Sequence, residues 1–380
     1  MAQFTLLELF QAAHQVSASD ILLSVGAPVL FRQDGSLTPH GDRKLLSVRD
    51  MEDYYKEVYE LAAWPEAQVY PDSFALSVPD LGRVRVCIYR QRGTTVIVLH
   101  VMNHGTPTVE SLGLPESIAA LSDLDSGLVL IGGNAGSGRT STLAALVDRV
   151  NHTRPVHILH ITDKLEYLHK NSMGLVTQVE YIQDTKRLDA VLDSVLQQSV
   201  DVVAIDAGWN VDIRHVLRIA AAGKLVLLVT NGCDEKCVLQ FFIDLLPSDW
   251  REAGLSLTQQ VLKAIVVQAR IPGDEGELRT AWGMFTGRMS FGSCEQLRQA
   301  RTADLSQSCS QADDGWMLGE MLSAMAHDHV ISKDQLRQVC SDPALYDDML
   351  RQRYEQEKPN PFHAVLRERE TRKGVQECEM

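Results

Sequence analysis

The sequence has few of the features that mark membrane or secreted proteins. No stretch of about 18 consecutive apolar residues occurs, so we expect no membrane-spanning helix. Residues 1–8 carry neither the basic start nor the cleavage site of a signal peptide. From these two absences we expect a cytoplasmic protein.

Paired cysteines and an excess of positive charge are absent as well. The seven cysteines are scattered and odd in number, and Cys233 and Cys237 have no second cysteine pair or histidine pair nearby. We therefore expect ordinary reduced thiols and no zinc site. The net charge of −14 argues against nucleic acid as the main partner, because a phosphate backbone binds basic surfaces.

The chain is long enough for two globular domains, with 380 residues of which 45% are hydrophobic and 23% charged. Residues 1–102 contain a helical pattern and then short strands with a hairpin signal at Asp34-Gly35, and so predict an α+β domain. Residues 103–125 carry the glycines and prolines that are typical of a linker.

From residue 126 the pattern changes to apolar strands that alternate with helical stretches. The strand-like runs are 127–131, 156–161, 200–205 and 225–230. Such alternation predicts a parallel α/β sheet, here in a second domain over residues 126–355 that becomes helical from 313 to 350. The polar residues 356–380 predict a disordered tail.

The most informative motif is a glycine-rich turn between the first of these strands and the helical stretch after it. A strand, a glycine-rich turn and a helix N-terminus form the context of the Walker A phosphate-binding loop. Backbone N–H groups and the helix dipole attract phosphate oxygens there, so we expect ATP to bind. The alternative is a turn without a ligand. The candidate nucleotide-binding residues are Gly133, Asn134, Ala135, Gly136, Ser137, Gly138, Arg139, Thr140 and Ser141.

Two residues of this loop bear on its chemistry. Thr140 stands where a hydroxyl holds Mg²⁺ beside bound ATP. Arg139 stands where the pattern normally has lysine. A lysine ammonium is a compact point charge that fits between the β- and γ-phosphates, whereas a guanidinium is a broad planar fork. Arg139 could bind phosphate from a shifted position, but we do not expect it to place the transition state correctly.

Several segments, taken in order, resemble the PilT-type pilus-retraction ATPases within the secretion ATPase superfamily of type II and type IV systems. The resemblance covers roughly residues 5–345. It implies a PAS-like N-terminal domain, a RecA-like P-loop domain with C-terminal helices, and a hexameric ring with ATP between subunits. The similar segments are 18–35, 84–93, 113–115, 127–130, the phosphate loop, Asp163 with Glu166, 200–205, 223–230 and 257–268, of which the last resembles the helix before the final core strands.

Carried over residue by residue, the resemblance implies a damaged catalytic set. The glutamate of the family's aspartate box falls at Thr162, and the Walker B glutamate falls at Ala207. The histidine of the histidine box falls at about Asn231, and the N-domain arginine that reaches the nucleotide falls at His100. Phosphoryl transfer depends on positioned water, metal and cations. We therefore expect weak or absent hydrolysis.

Three acidic residues remain as candidates for catalysis, Asp163, Glu166 and Asp206. Asp206 ends an apolar strand at a position where the family has glycine. It could hold Mg²⁺ through water and partly restore metal binding, or it could cap a turn at the strand end. We favour the turn.

Three functions remain open on this basis. The preferred one is an ATP-binding relative of the pilus or secretion motors with weak or absent hydrolysis and a regulatory or structural role. It would form a homo-hexamer, or a mixed ring with an active paralogue, at an inner-membrane pilus or secretion platform. The second is an active, divergent retraction motor in which Arg139, Asp206 and Asp163 have taken over the missing roles. The third is a scaffold of the pilus machinery that binds no nucleotide.

Overall fold

The computed structural model describes residues 4–16, 18–33, 36–62, 73–78, 82–101, 105–163, 165–181, 185–206, 211–272, 278–286, 316–328 and 330–339. The chain divides into two compact units. The first comprises Met1–Gly105 and the short segment Glu166–Leu168, and the second comprises Thr106–Leu165 and His169–Met380. Within the described ranges, no helix combines the length and apolar character that a membrane span requires.

In its described residues, the first unit has a six-stranded antiparallel sheet and two helices. The sheet order is β3-β2-β1-β6-β5-β4, and capping boxes at Thr5 and Ser47 open the two helices. Its elements are α1 (Leu6–Gln15), β1 (Asp20–Ser24), β2 (Leu30–Gln33), β3 (Ser36–Pro39), α2 (Val48–Leu61), β4 (Ser73–Val78), β5 (Gly82–Gln91) and β6 (Thr94–Val101).

The second unit is built on a seven-stranded sheet. The order is β13-β12-β7-β11-β10-β8-β9, with neighbours parallel except β13, which pairs antiparallel with β12. The strands are β7 (Gly127–Gly133), β8 (His157–Thr162), β9 (Leu175–Glu180), β10 (Val202–Asp206), β11 (Leu225–Val229), β12 (Leu262–Pro272) and β13 (Leu278–Thr286).

Helices cover both faces of this sheet. The described helices are α3 (Val109–Leu112), α4 (Glu116–Ala119), α5 (Arg139–Thr153), α6 (Thr185–Val195), α7 (Ile213–Ala221), α8 (Glu235–Asp244), α9 (Arg251–Val261), α10 (Leu318–His327) and α11 (Lys333–Val339). Because helices cover both faces, the strands are buried on both sides, and their sequences are continuous apolar runs that do not alternate with polar residues.

The central strand β7 shows how the two layers of core arise. Every residue of β7 is buried, and successive side chains point to opposite faces. Val129 and Ile131 pack with α5 in one hydrophobic cluster. Leu128 and Leu130 pack with α7, α8 and α10 in the other. The phosphate loop thus follows directly from a strand that is buried along its whole length.

The prediction of a mixed α/β fold with a parallel sheet is confirmed, and several local predictions are corrected. The expected linker contains α3 and α4. Segment 257–268 is not one helix, because α9 ends at Val261 and β12 begins at Leu262. The tail from 356 lies outside the described residues, and the PAS-like and RecA-like assignments stay predictions.

Candidate nucleotide-binding site

The candidate site lies at the carboxyl ends of the parallel strands. In open α/β sheets this edge is where ligands bind. Here β7 ends at Gly133 and leads into the loop, β8 ends at Thr162, and β10 ends at Asp206. Thr230 follows the last residue of β11. Four elements that are distant in sequence therefore bring polar groups to one edge.

The loop has the backbone conformation that its glycines permit. Gly136 and Gly138 have φ values of 78° and 94°, a region that side chains other than glycine rarely adopt. A methyl group built on Gly136 would meet no atom within 4 Å, so the loop is open on that side. The Ser137 hydroxyl is buried and has no hydrogen-bond partner among the described residues.

A buried glutamine on β12 fixes the loop against the sheet. Gln268 Nε2 donates to the Ser137 carbonyl oxygen at 2.6 Å, and Gln268 Oε1 accepts from Thr142 Oγ1 at 2.7 Å. One amide therefore joins the end of the loop to the first turn of α5. This role was not predicted from the sequence, although a glutamine directly after the apolar run 264–267 is the signal that could have revealed it.

Arg139 is held by the neighbouring strand end. Its Nη1 donates to the Thr230 carbonyl oxygen at 2.5 Å and to Asn231 Oδ1 at 2.6 Å. Burial lowers the pKa of the guanidinium and the negative charge of Asp206 raises it, and arginine remains protonated in proteins. The side chain that occupies the lysine position is thus anchored on protein oxygens of the β11 end.

Thr140 is joined to Asp206. The threonine Oγ1 donates to Asp206 Oδ2 at 2.7 Å. Burial raises the pKa of Asp206, the hydrogen bond from Thr140 lowers it, the charge of Asp163 raises it, and the charge of Arg139 lowers it. A hydroxyl and a carboxylate oxygen side by side form a donor set that suits Mg²⁺, which prefers oxygen ligands.

Comparison with known proteins bears on this arrangement. No protein-family model matches the chain. The type IV pilus ATPase PilU of Pseudomonas aeruginosa is 29% identical over 269 residues, 69% of each chain. The type IV pilus retraction ATPase PilT of the same organism is 28% identical over 269 residues, 70% of this chain and 77% of PilT.

A solved structure of the pilus retraction motor PilT with bound ADP is similar over 91% of this chain and 100% of its own, with a TM-score of 0.78 and 26% identity. The chain is therefore similar in sequence and in fold to the PilT-like ATPases of the type II and type IV secretion superfamily. The catalytic positions that this resemblance implies can be compared with the polar groups at the strand ends.

At the positions that the resemblance assigns to catalysis, the described side chains are buried or bind other residues of the protein. Thr162 is buried at 2% exposure at the end of β8. Asn231, at the histidine-box position, accepts from Arg139. His100 pairs with Asp20, its partner across β6 and β1, inside the first unit. Ala207 lies outside the described residues.

The three candidate acids are not equivalent in this superfamily fold. Asp206 lies at the phosphate loop through Thr140. Asp163 follows β8, its backbone N–H donates to the Asp206 carbonyl oxygen at 3.1 Å, and its side chain is exposed. Glu166 is in the segment Glu166–Leu168, which groups with the first unit. The structure thus brings Asp163 and Asp206 together at one strand edge.

Proposed function

We propose that this chain is an ATP-binding subunit of a type IV pilus or related secretion machine, with weak or absent hydrolysis and a regulatory or structural role. The observation that carries the proposal is the anchoring of Arg139 on Thr230 and Asn231. A cation that already satisfies two protein acceptors is not free to follow charge that develops on a phosphoryl group.

Nucleotide binding is supported by the open loop. Asn134, Ala135 and Gly136 are exposed, and their backbone and the N-terminus of α5 would offer N–H groups to phosphate oxygens. The Ser137 hydroxyl, which has no partner within the described ranges, adds a polar group at the same place. Residues from Gly133 to Ser141 would hold the phosphates of ATP, as the ADP-bound PilT structure suggests for a relative with 26% identity.

Metal binding is supported by the pair of Thr140 and Asp206. Their hydroxyl and carboxylate would hold Mg²⁺ directly or through water, and Mg²⁺ when bound supplies positive charge to the phosphates. This assignment revises our preference for a turn cap at Asp206. The carboxylate accepts from Thr140, 66 residues away, which a turn cap would not require.

Slow hydrolysis is supported by what surrounds the loop. Thr162 has no carboxylate to orient a water, and Asn231 is neutral. Loss of one group that stabilises a transition state commonly reduces the rate by about 10²–10³, although such losses within one site are not additive. We therefore expect turnover far below that of a motor.

The proposed location and assembly rest on analogy with the relatives. PilU and PilT are named as type IV pilus ATPases. By analogy we propose a cytoplasmic hexamer, either of this chain alone or mixed with an active paralogue, with nucleotide between subunits. It would act at the inner-membrane platform of a pilus or secretion machine. The PAS-like and RecA-like domain assignments belong to this proposal.

One observation favours a second candidate, an active divergent motor. The Thr140–Asp206 pair retains an acid next to the hydroxyl of the phosphate loop. If Asp206 places the metal well enough, the chain would hydrolyse ATP without the missing glutamate. Loss of turnover in Asp206→Ala would then be expected.

The test is calorimetric titration of the purified protein with ATP and Mg²⁺, with phosphate release followed in the same sample. We expect binding with little or no turnover. Arg139→Lys should bind ATP about tenfold or more tightly, because a charge-assisted hydrogen bond contributes about 1.5–3 kcal/mol and lysine lacks the Nη1 group that is bound to Thr230 and Asn231.

Arg149→Lys is the matched control. Arg149 lies on the same helix but pairs with Glu116 and Asp123, so ATP affinity should not change. Motor-like, magnesium-dependent turnover by the wild type would refute the proposal and favour the second candidate. If the protein bound no ATP at millimolar concentration, the scaffold that binds no nucleotide would be the remaining function.

A further inference from the structure

Arg270 lies directly on the phosphate loop. It is two residues after Gln268 on β12, so both side chains are on the same face of the strand. Gln268 binds the loop through Ser137. A methyl group built on Gly138 would be 3.3 Å from both Nε and Nη2 of Arg270. The guanidinium thus covers the residue that caps the N-terminus of α5.

Arg270 is a cation beside a helix N-terminus, where the nearest acidic group described is Asp206, bonded to Thr140. The N-terminus of a helix carries partial positive charge and attracts anions. The first turn of α5 has no acidic residue, and its first residue is the cation Arg139. Arg270 is exposed and forms no hydrogen bond or ion pair with any residue in the described part of the chain. Two guanidinium groups and a helix N-terminus therefore surround one open loop.

The two arginines differ in what they can contact. Arg139 is half-buried and is engaged by Thr230 and Asn231. Among the described residues, Arg270 has no such acceptor, and its Nε and Nη2 lie above Gly138. Its planar fork matches phosphate oxygens in a bidentate manner, and an anion in the loop would neutralise the cluster.

We propose that Arg270 is a phosphate-binding residue of the nucleotide site and supplies the cation that Arg139, anchored on the β11 end, does not. The inference rests on the proposed function, since it requires the loop to hold a nucleoside di- or triphosphate. The cation that binds phosphate would then come from β12, whereas the residue at the usual lysine position is held by the end of β11, on the other side of β7.

The experiment measures ADP and ATP affinity by calorimetry, at two salt concentrations, for the wild type and three variants of the full chain. Arg270→Ala should weaken both ligands about tenfold to a hundredfold, the range for one charge-assisted hydrogen bond. It should also reduce the salt dependence of binding, because one fewer charge contacts phosphate. Arg270→Lys keeps the charge and should retain part of the affinity.

Lys263→Ala is the matched control. It removes one exposed cation from the same strand, at the opposite end, where Lys263 packs on Gly127. Its ADP and ATP affinities should equal those of the wild type.

Unfolding of the ligand-free proteins separates a binding role from a structural one. Arg270→Ala should melt at the same temperature as the wild type or slightly higher, because a cation is removed from a helix N-terminus. Wild-type affinities and salt dependence in Arg270→Ala would overturn the assignment of Arg270 and leave the proposed function intact. Failure of the wild type itself to bind ADP or ATP would overturn both. A lower melting temperature in Arg270→Ala with unchanged affinity would mean that Arg270 is structural.

Discussion

The buried carboxyl of Glu235 makes the stability of the second unit depend on pH, and Glu235→Gln tests this. Glu235 begins α8, is 1% exposed, and its Oε1 accepts from the backbone N–H of Leu318 at 2.7 Å. Burial raises the pKa of Glu235 from 4.5 to about 7, against the opposing effect of the hydrogen bonds from Leu318 and from its own backbone.

The sign of the effect follows from proton linkage. Between pH 4.5 and 7 the folded protein binds more protons at Glu235 than the unfolded chain does. Stability therefore falls as pH rises through this window and is constant above it, as far as this group is concerned. From the difference between the two pKa values, ionisation of Glu235 lowers the free energy of unfolding by about 3 kcal/mol at most.

Glutamine has the same shape without the charge, and its Oε1 can still accept from Leu318. We expect Glu235→Gln to equal the wild type at pH 4.5 and to be more stable by up to about 3 kcal/mol at pH 8. The assay is urea unfolding of both proteins at closely spaced pH values, analysed as the difference between them so that other titrating groups cancel.

Glu52→Gln is the control, because it makes the same substitution at an exposed position on α2 and should not reproduce the gain in stability at pH 8. A variant that is less stable than the wild type at pH 8 would refute the argument. It would mean that the ionised carboxylate is stabilised by contacts that outweigh its burial.

Three further predictions concern the same unit. Thr142→Val leaves Gln268 Oε1 buried without its donor, and should cost about 1–3 kcal/mol of stability by urea unfolding. In Gly283→Ala the new methyl group would press on Glu235 Oε1 and the Leu318 backbone, so we expect a loss of about 1–3 kcal/mol. Burial lowers the pKa of His160 to about 3. The stability that this neutral ring contributes above pH 6.5 is therefore lost as pH falls towards 3, and His160→Gln should unfold less readily in acid, as measured by circular dichroism.

Local sequence determined the framework around the site. The apolar run 127–131 could only be a buried strand or helix, and the glycines after it fixed the turn. The hairpin signal at Asp34-Gly35 likewise located β2 and β3. These features are decided by residues close in sequence, so they are readable from it.

Where local signals conflict, the sequence misled. Segment 257–268 contains no glycine or proline, and its resemblance to the family predicts one helix, whereas only the part up to Val261 is helical. Pairing with β7 on one side and β13 on the other makes the rest a strand. The strand β9 is short and was not predicted, and the helix α2 was missed although the capping box of Ser47 and Asp50 is a local signal for its start.

The chemistry of the site was decided by tertiary structure. The sequence identified Arg139 as unusual, but its partners Thr230 and Asn231 are 91 and 92 residues away. The Thr140–Asp206 pair and the approach of Arg270 to Gly138 also join ends of different strands. A linear sequence shows which groups are present. Only the order of the strands in the sheet determines which of them meet, because parallel strands place their carboxyl ends at one edge.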